Sequence, residues 1–345
     1  MLPMKPIALD AMGGDAMPEA AVEGALGALQ AGIPVVLVGD EAKLKATLEG
    51  YGSFSSDISI HHAGDVMTMN DAASDVRRRR DSSIMRAMTL VKKGEASACV
   101  SMGHSGATMA AALLVLGRLR GVERPAILAN IPAGDGFSAL IDAGANADCR
   151  PAHLQQFAVM GSVYARAFYD KAEPSVGLMS IGEEEEKGNE LTRAAHGLLK
   201  ETPNINFYGN VEGRDLLRGT TDVVVTDGFT GNVMLKLAEG EAKAIFGWLR
   251  EGLAGGNLFT KLGASLVKPA LKGVAARLDP SEYGAQPLLG VNGHAFIGHG
   301  SADARAVFNA LKTAHRAVDA QLAQKIAAGL EVLSASKREV AHSGE

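Results

Sequence analysis

Residues 98–107 read Ala-Cys-Val-Ser-Met-Gly-His-Ser-Gly-Ala, and their reading decides the fold. The apolar run 98–101 has the length of a buried strand. A turn of glycines and hydroxyls follows, and an alanine-rich stretch then predicts a helix to about residue 119. The same order recurs along the chain. A strand over 7–9 leads through Asp10-Ala-Met-Gly-Gly-Asp15 into a helix from about Pro18, where a missing N–H costs nothing. A strand over 176–181 leads into Glu183-Glu-Glu-Glu-Lys-Gly-Asn-Glu190, and one over 223–225 into the turn Asp227-Gly-Phe-Thr-Gly-Asn232. Further strands are predicted over 35–38, 58–62, 205–208, 288–291 and 295–297, with helices over 154–169 and 302–327. Runs 126–131 and 138–141 are joined through Gly134 and Gly136, a connection short enough for an antiparallel pair. Strands separated by helices predict an α/β fold: a mostly parallel sheet with helices on both faces. In such sheets ligands sit at the carboxyl ends of the strands, where these polar turns lie.

A length of 345 residues suffices for two lobes, and no linker separates independent domains, so residues 1–333 are read as one two-lobed unit with a polar, frayed tail over 334–345. Hydrophobic residues at 47% and 41 glycines fit a compact fold with many tight turns. Aromatics at 5% leave little for a base-stacking surface, and a net charge of −5 disfavours broad attraction to nucleic acid or anionic lipid. Two cysteines, Cys99 and Cys149, are too few for a disulfide framework or a cysteine zinc site. No signal peptide or membrane span is legible, which points to the cytoplasm.

The turns carry the candidate chemistry. Gly13 and Gly14 let the backbone approach a ligand, or only make a tight turn flanked by Asp10 and Asp15. Between Ser101 and Ala107, His104, Ser105 and Gly106 open a helix whose N–H groups suit phosphate. The spacing is not that of a nucleophile elbow, and a lone histidine such as His104 more often serves structure. The four acids before Lys187 lack the spacing of a calcium loop. They favour the start of the next helix or set a field around Lys187, which suits an electrostatic role better than a nucleophilic one. No metal motif and no nucleotide fingerprint is present, so neither metal nor cofactor is expected.

Arg77, Arg78, Arg79 and Arg80 form a basic cluster in an acidic chain: a solvated charge run, or a dock for an acidic partner. Segment 242–277 reads as a helical hairpin. Its tip residues Leu258, Phe259, Leu262 and Leu266 are interleaved with Lys261, Lys268 and Lys272. Two readings stand, a helix pair in an interface or a tip touching a membrane surface.

Taken together, these pieces resemble the phosphate acyltransferase family of bacterial phospholipid synthesis. The matching motifs are Asp10-Ala-Met-Gly-Gly-Asp15, Arg80-Asp-Ser-Ser83, Asp142-Ala-Gly-Ala-Asn146, residues 182–192, Asn210-Val-Glu-Gly-Arg214, Asp227-Gly-Phe-Thr-Gly-Asn232, Leu288-Leu-Gly-Val-Asn-Gly293 and Ile297-Gly-His-Gly-Ser301. They stand in family order over about residues 7–327. The chain departs from the family at Gly103-His-Ser-Gly106, usually Gly-Asn-Thr-Gly, and at Tyr283-Gly-Ala-Gln-Pro287, usually Tyr-Gly-Gly-Ala-Pro. The resemblance implies transfer of a long-chain acyl group from acyl carrier protein to inorganic phosphate. It also implies a fold like that of isocitrate and isopropylmalate dehydrogenases, a homodimer, peripheral membrane contact and a downstream membrane acyltransferase as partner. Lys187 and Asn232 take the catalytic places. Around them Asp10, Gly13, Gly14, Asp15, Ser101, His104, Ser105, Gly106, Ala107, Asn146, Asn189, Asp227, Thr230 and Gly231 are expected to hold substrate or phosphate. A short-chain phosphotransacetylase, a metal- and nicotinamide-dependent decarboxylase and a non-catalytic membrane scaffold are the alternatives.

Overall fold

The computed structural model describes residues 5–52 and 58–343. Eleven strands form one sheet, in the order β3-β2-β1-β4-β11-β10-β5-β6-β9-β7-β8. They are β1 (Ile7–Asp10), β2 (Val35–Gly39), β3 (Ser59–His62), β4 (Ala98–Ser101), β5 (Ala126–Ala133), β6 (Gly136–Ile141), β7 (Ser175–Met179), β8 (Asn206–Val211), β9 (Val223–Val225), β10 (Ala285–Leu289) and β11 (Ala295–Gly298). Two parallel halves flank an antiparallel centre. β10 runs against both β11 and β5, and β5 runs against β6. Three reversals leave β1 to β4 and β11 pointing one way, and β6 to β9 the other. The expected antiparallel pair is therefore present, extended to residues 126–133 and 136–141.

Alternation of side chains along each strand feeds two cores. Ile7, Leu9, Leu37 and Val100 face one layer. It contains α1 (Glu19–Gln30), α5 (Pro151–Phe168), α6 (Glu190–Lys200), α10 (Ala304–Asp319) and α11 (Leu322–Ser343). Ala8, Val36, Val38 and Cys99 face the other, with α3 (Ser83–Lys92), α4 (Ser105–Val115) and α7 (Gly213–Arg218). Helices on both faces thus accord with the α/β expectation. A short helix, α2 (Glu41–Glu49), escaped the sequence reading; Asp40 caps it by accepting from the N–H of Ala42 and Lys43.

Three stretches differ from expectation. The alanine-rich helix ends at Val115 because Gly117, at φ +77°, turns the chain left-handed. The closing helix is broken at Gln321, φ 52°, into α10 and α11, and α11 carries on to Ser343 where a frayed tail was expected. The turn 227–232 is the first turn of a helix of 27 residues, α8 (Gly228–Ala254). With α9 (Leu258–Arg277) it forms a hairpin longer than residues 242–277. The base of α8 packs against the core through Met234 and Leu235.

Candidate active site

At the carboxyl end of β1, Asp10 is 3% exposed. Its Oδ1 accepts from the N–H of Met12 and Gly13 at 3.3 and 3.2 Å, and its Oδ2 from Ser101 Oγ at 2.7 Å. Burial pushes the carboxyl upward against the opposing pull of these hydrogen bonds. Ser101 Oγ accepts in turn from Gly103 N–H. A Cβ on Gly13 would stand 2.7 Å from Asp10 Oδ2 and 3.0 Å from Gly103 Cα, so the two glycine turns touch. Asp15 N–H donates to Gly300 O at 2.8 Å, which adds the turn after β11 to this cradle. There His299 Nδ1 and Ser301 Oγ lie 2.8 Å apart. The motif 297–301 was visible in the sequence, but nothing local placed it beside Gly14.

His104 is the N-cap of α4: its Nδ1 accepts from Ala107 N–H at 3.2 Å. Ala107 is also 1% exposed, so its N–H is not available to phosphate as the sequence suggested. The N–H groups of Ser105 and Gly106 have no protein acceptor among the described hydrogen bonds. Ser105 is exposed and Gly106 half-buried. The helix start therefore offers an anion two donors rather than three.

A second group forms at the carboxyl ends of β6 and β9. Asp142, fully buried, organises it. Its Oδ1 accepts from Ile127, Gly144 and Ala145 N–H, and its Oδ2 from both nitrogens of Asn146 at 2.8 Å. Burial raises this carboxyl too, against those donors. Asn146 O receives Gly228 N–H at 2.8 Å. Asp227 caps α8, accepting from Thr230 N–H and Thr230 Oγ1 at 2.9 and 2.8 Å. A Cβ on Gly231 would run into Asp142 O, so the first turn of α8 lies directly on the Asp142 loop. Asn232 is held over Gly144, where a Cβ would be 2.5 Å from Asn232 Nδ2. Asn146, Asp227, Thr230 and Gly231 are thus the scaffold that fixes Asn232. Cys149 is half-buried nearby, and burial pushes its thiol up to about 11, the reverse of an activated nucleophile.

The acidic turn follows β7, the strand next to β9. Lys187 is exposed, and its ammonium makes no ion pair among the described residues. Its N–H donates to Glu184 O, and its carbonyl accepts from Ser180 Oγ. The four acids do not start the helix, which was one of the two roles read from sequence. Asn189 is the N-cap of α6, accepting from Thr192 N–H at 2.9 Å. The acids take other cations instead: Glu185 pairs with Lys200 at 2.9 Å and Glu183 with Arg214 at 3.5 Å. Glu183, Glu212 and Asp215 bring one oxygen each within 4.8 Å, with Arg214 as the cation against the first two.

The site residues expected from sequence therefore fall into two groups. Lys187 and Asn232 share one edge of the sheet, and the cradle of Asp10, Gly13, Gly14, Ser101 and Ser105 lies at the other. No hydrogen bond or ion pair among the described residues joins them. Of the basic cluster, Arg79 is already engaged by Asp65 and Asp71; it holds the Asp65 carboxyl below its usual range, and hydrogen bonds from Thr68, with Arg79 behind them, do the same for Asp71. Arg79 is not free to dock a partner, whereas Arg77, Arg78 and Arg80 are exposed. On the hairpin, Phe259, Leu262 and Leu266 are 82%, 62% and 77% exposed. The side chain of Leu258 lies outside the described residues. No described helix is long and apolar enough to cross a membrane.

A chain from Staphylococcus aureus, the EutD phosphotransacetylase, superposes with TM-score 0.59 over 92% of this chain and 94% of its own at 17% identity. A putative 4-hydroxythreonine-4-phosphate dehydrogenase from Salmonella typhimurium gives 0.53 over 91% and 99% at 14% identity. These likenesses show the fold. Phosphate acyltransferases of Thermus thermophilus and Geobacter sulfurreducens are 56% and 49% identical over 327 residues, covering 95% and 94% of this chain and 99% and 94% of those proteins. The model of the family described as fatty acid synthesis protein matches residues 5–325, and the chain belongs to that family.

Proposed function

We propose that the protein transfers a long-chain acyl group from the thioester of acyl carrier protein to inorganic phosphate, giving acyl phosphate and free carrier. The observation that carries this reading is the amide of Asn232 packed against Gly144 in the first turn of α8, which follows β9, the strand beside β7 and its Lys187 turn. A phosphate oxygen attacks the thioester carbon; the new O–C bond forms as the carbonyl becomes an oxyanion. Asn232 Nδ2 donates to that oxyanion, and Lys187 balances the charge of phosphate and oxyanion. Collapse breaks the C–S bond, and the proton of hydrogen phosphate leaves with the carrier thiol. No acyl-enzyme is needed, in keeping with the raised Cys149 thiol.

Arg77, Arg78 and Arg80 supply the basic surface that acidic carrier protein needs. The hairpin tip rests on the membrane surface of the cytoplasmic side, where product would pass to a downstream membrane acyltransferase. The working form is a homodimer. Long-chain acyl carrier protein mixed with phosphate and purified protein should yield free carrier and acyl phosphate together. A folded protein that releases neither would overturn the reading.

A further inference from the structure

We infer that the protein carries a second acyl site: a groove between α5 and α11 that takes a fatty acid anion, its carboxylate at one end and its chain along the floor. The site lies outside the proposed catalytic machinery and does not depend on it. Glu173, ahead of β7, and residues 203–206, which lead into β8, border the groove. It therefore sits at the amino ends of these strands, whereas Lys187 follows the carboxyl end of β7.

Two helical stripes face each other across a space of about 770 Å³, which falls within the ~300–1,000 Å³ of ligand pockets. Val159, Ser162, Val163 and Arg166 form the stripe on α5. Lys325, Ala328, Gly329 and Val332 repeat the same spacing on α11, so each set shares one helix face. The two helices run antiparallel. Arg316, just before α11, donates to the carbonyls of Ala167 and Phe168 at the end of α5. Gln156, near the start of α5, donates to Gly121 O, and a Cβ on Gly121 would stand 3.8 Å from Ser334 Oγ, far along α11. Arg166 and Lys325 thus share one end of the groove, and Val159 and Val332 the other. Between them Gly329 lets α11 approach α5: a Cβ there would be 3.1 Å from Val159 Cγ1 and 3.4 Å from Val163 Cγ2.

The polar end has unused capacity. Arg166 gives one N–H to Asn204 O at 2.8 Å, and neither it nor Lys325 makes an ion pair among the described residues. Ser162 is 2% exposed and lies one turn from Arg166, and its Oγ has no hydrogen-bond partner among the described residues. A buried hydroxyl left unpaired is costly, and a ligand oxygen would satisfy it. The guanidinium fork fits a carboxylate. Two cations against the single carboxylate of Glu173 leave one surplus positive charge. That matches a carboxylate better than a phosphate monoester, which carries about −1.5 to −2. The apolar end suits the chain. From Arg166 to Val159 the α5 face runs about 10 Å, and a longer chain leaves past Val332, which is 43% exposed.

Palmitate bearing a photoreactive diazirine on its chain tests the site in the full-length protein without any need for turnover. Illumination should label α5 and α11, and unlabelled palmitate should compete. Ala328→Trp, which places an indole on an exposed position of the groove wall, should abolish that labelling while Tm and acyl phosphate formation stay unchanged. Lys325→Glu should weaken palmitate about tenfold, the worth of one hydrogen bond to a charged group, and leave hexadecanol binding as it was. Labelling that falls elsewhere, or that persists in Ala328→Trp, would overturn the groove. Palmitate bound equally by wild type and Lys325→Glu, or hexadecyl phosphate bound more tightly than palmitate, would overturn the carboxylate site. A protein that labels as expected yet makes no acyl phosphate would sink the catalytic reading alone.

Discussion

At the scale of the residue, most of the polar side chains that suggested ligand binding turn out to be fasteners. His104, Asn189 and Asp227 each cap a helix, and Asp10 and Asp142 each gather the N–H groups of a loop. An oxygen or ring nitrogen spent on a cap is not spent on substrate. Lys187, exposed and without an ion pair among the described residues, and Asn232, packed against Gly144, have no such task. Asn232→Ala should lower kcat about 10²–10³-fold with little change in Tm, since the side chain supports no helix cap. Lys187→Ala should do the same; either variant at wild-type turnover would reassign the oxyanion donors. Cys149→Ala, by contrast, should turn over as wild type does, because a thiol held near 11 attacks nothing at neutral pH. Loss of activity there would revive an acyl-enzyme.

Elements respond differently, through burial and exposed apolar area. His294 leads into β11 and passes its carbonyl to Cys99 N–H. Burial lowers its imidazole from 6.5 to about 4. The unfolded chain therefore takes up a proton between those values while the folded one does not, and stability is lost as pH falls from 6.5 through about 4. Tm should climb over that window, and His294→Gln should flatten the climb; an unchanged pH profile in the variant would show that the histidine is not the cause. The hairpin is the opposite case, an element with little to bury against. Phe259→Glu with Leu266→Glu should abolish co-sedimentation with anionic vesicles, because two large exposed apolar side chains near lysines are replaced by charges of the lipid's own sign. Persisting co-sedimentation would hand that face to another partner.

For the whole molecule, charge and strand direction matter more than any one contact. The net charge is −5, so an acidic carrier needs a local positive patch, and three arginines remain exposed for it. Reversing Arg77, Arg78 and Arg80 to Glu should raise the KM for acyl carrier protein about tenfold or more, steeply at low salt, with KM for phosphate unchanged. An unaltered carrier KM would move the dock elsewhere. The α/β class, most strand positions and the hairpin were legible in the sequence alone. Those features are local: a strand is a run of four or five apolar residues, and a motif is a turn a few residues long. The antiparallel pairing of β10 with β5 joins segments more than a hundred residues apart, through backbone groups that every residue carries alike. No side-chain pattern announced it. Together with the β10–β11 pair it keeps β5 aligned with β4, so that the β5–β6 hairpin turns the second half of the sheet over and separates Lys187 from the phosphate cradle. The sequence by itself determined which residues could act; only tertiary hydrogen bonding between distant strands decided which of them share an edge.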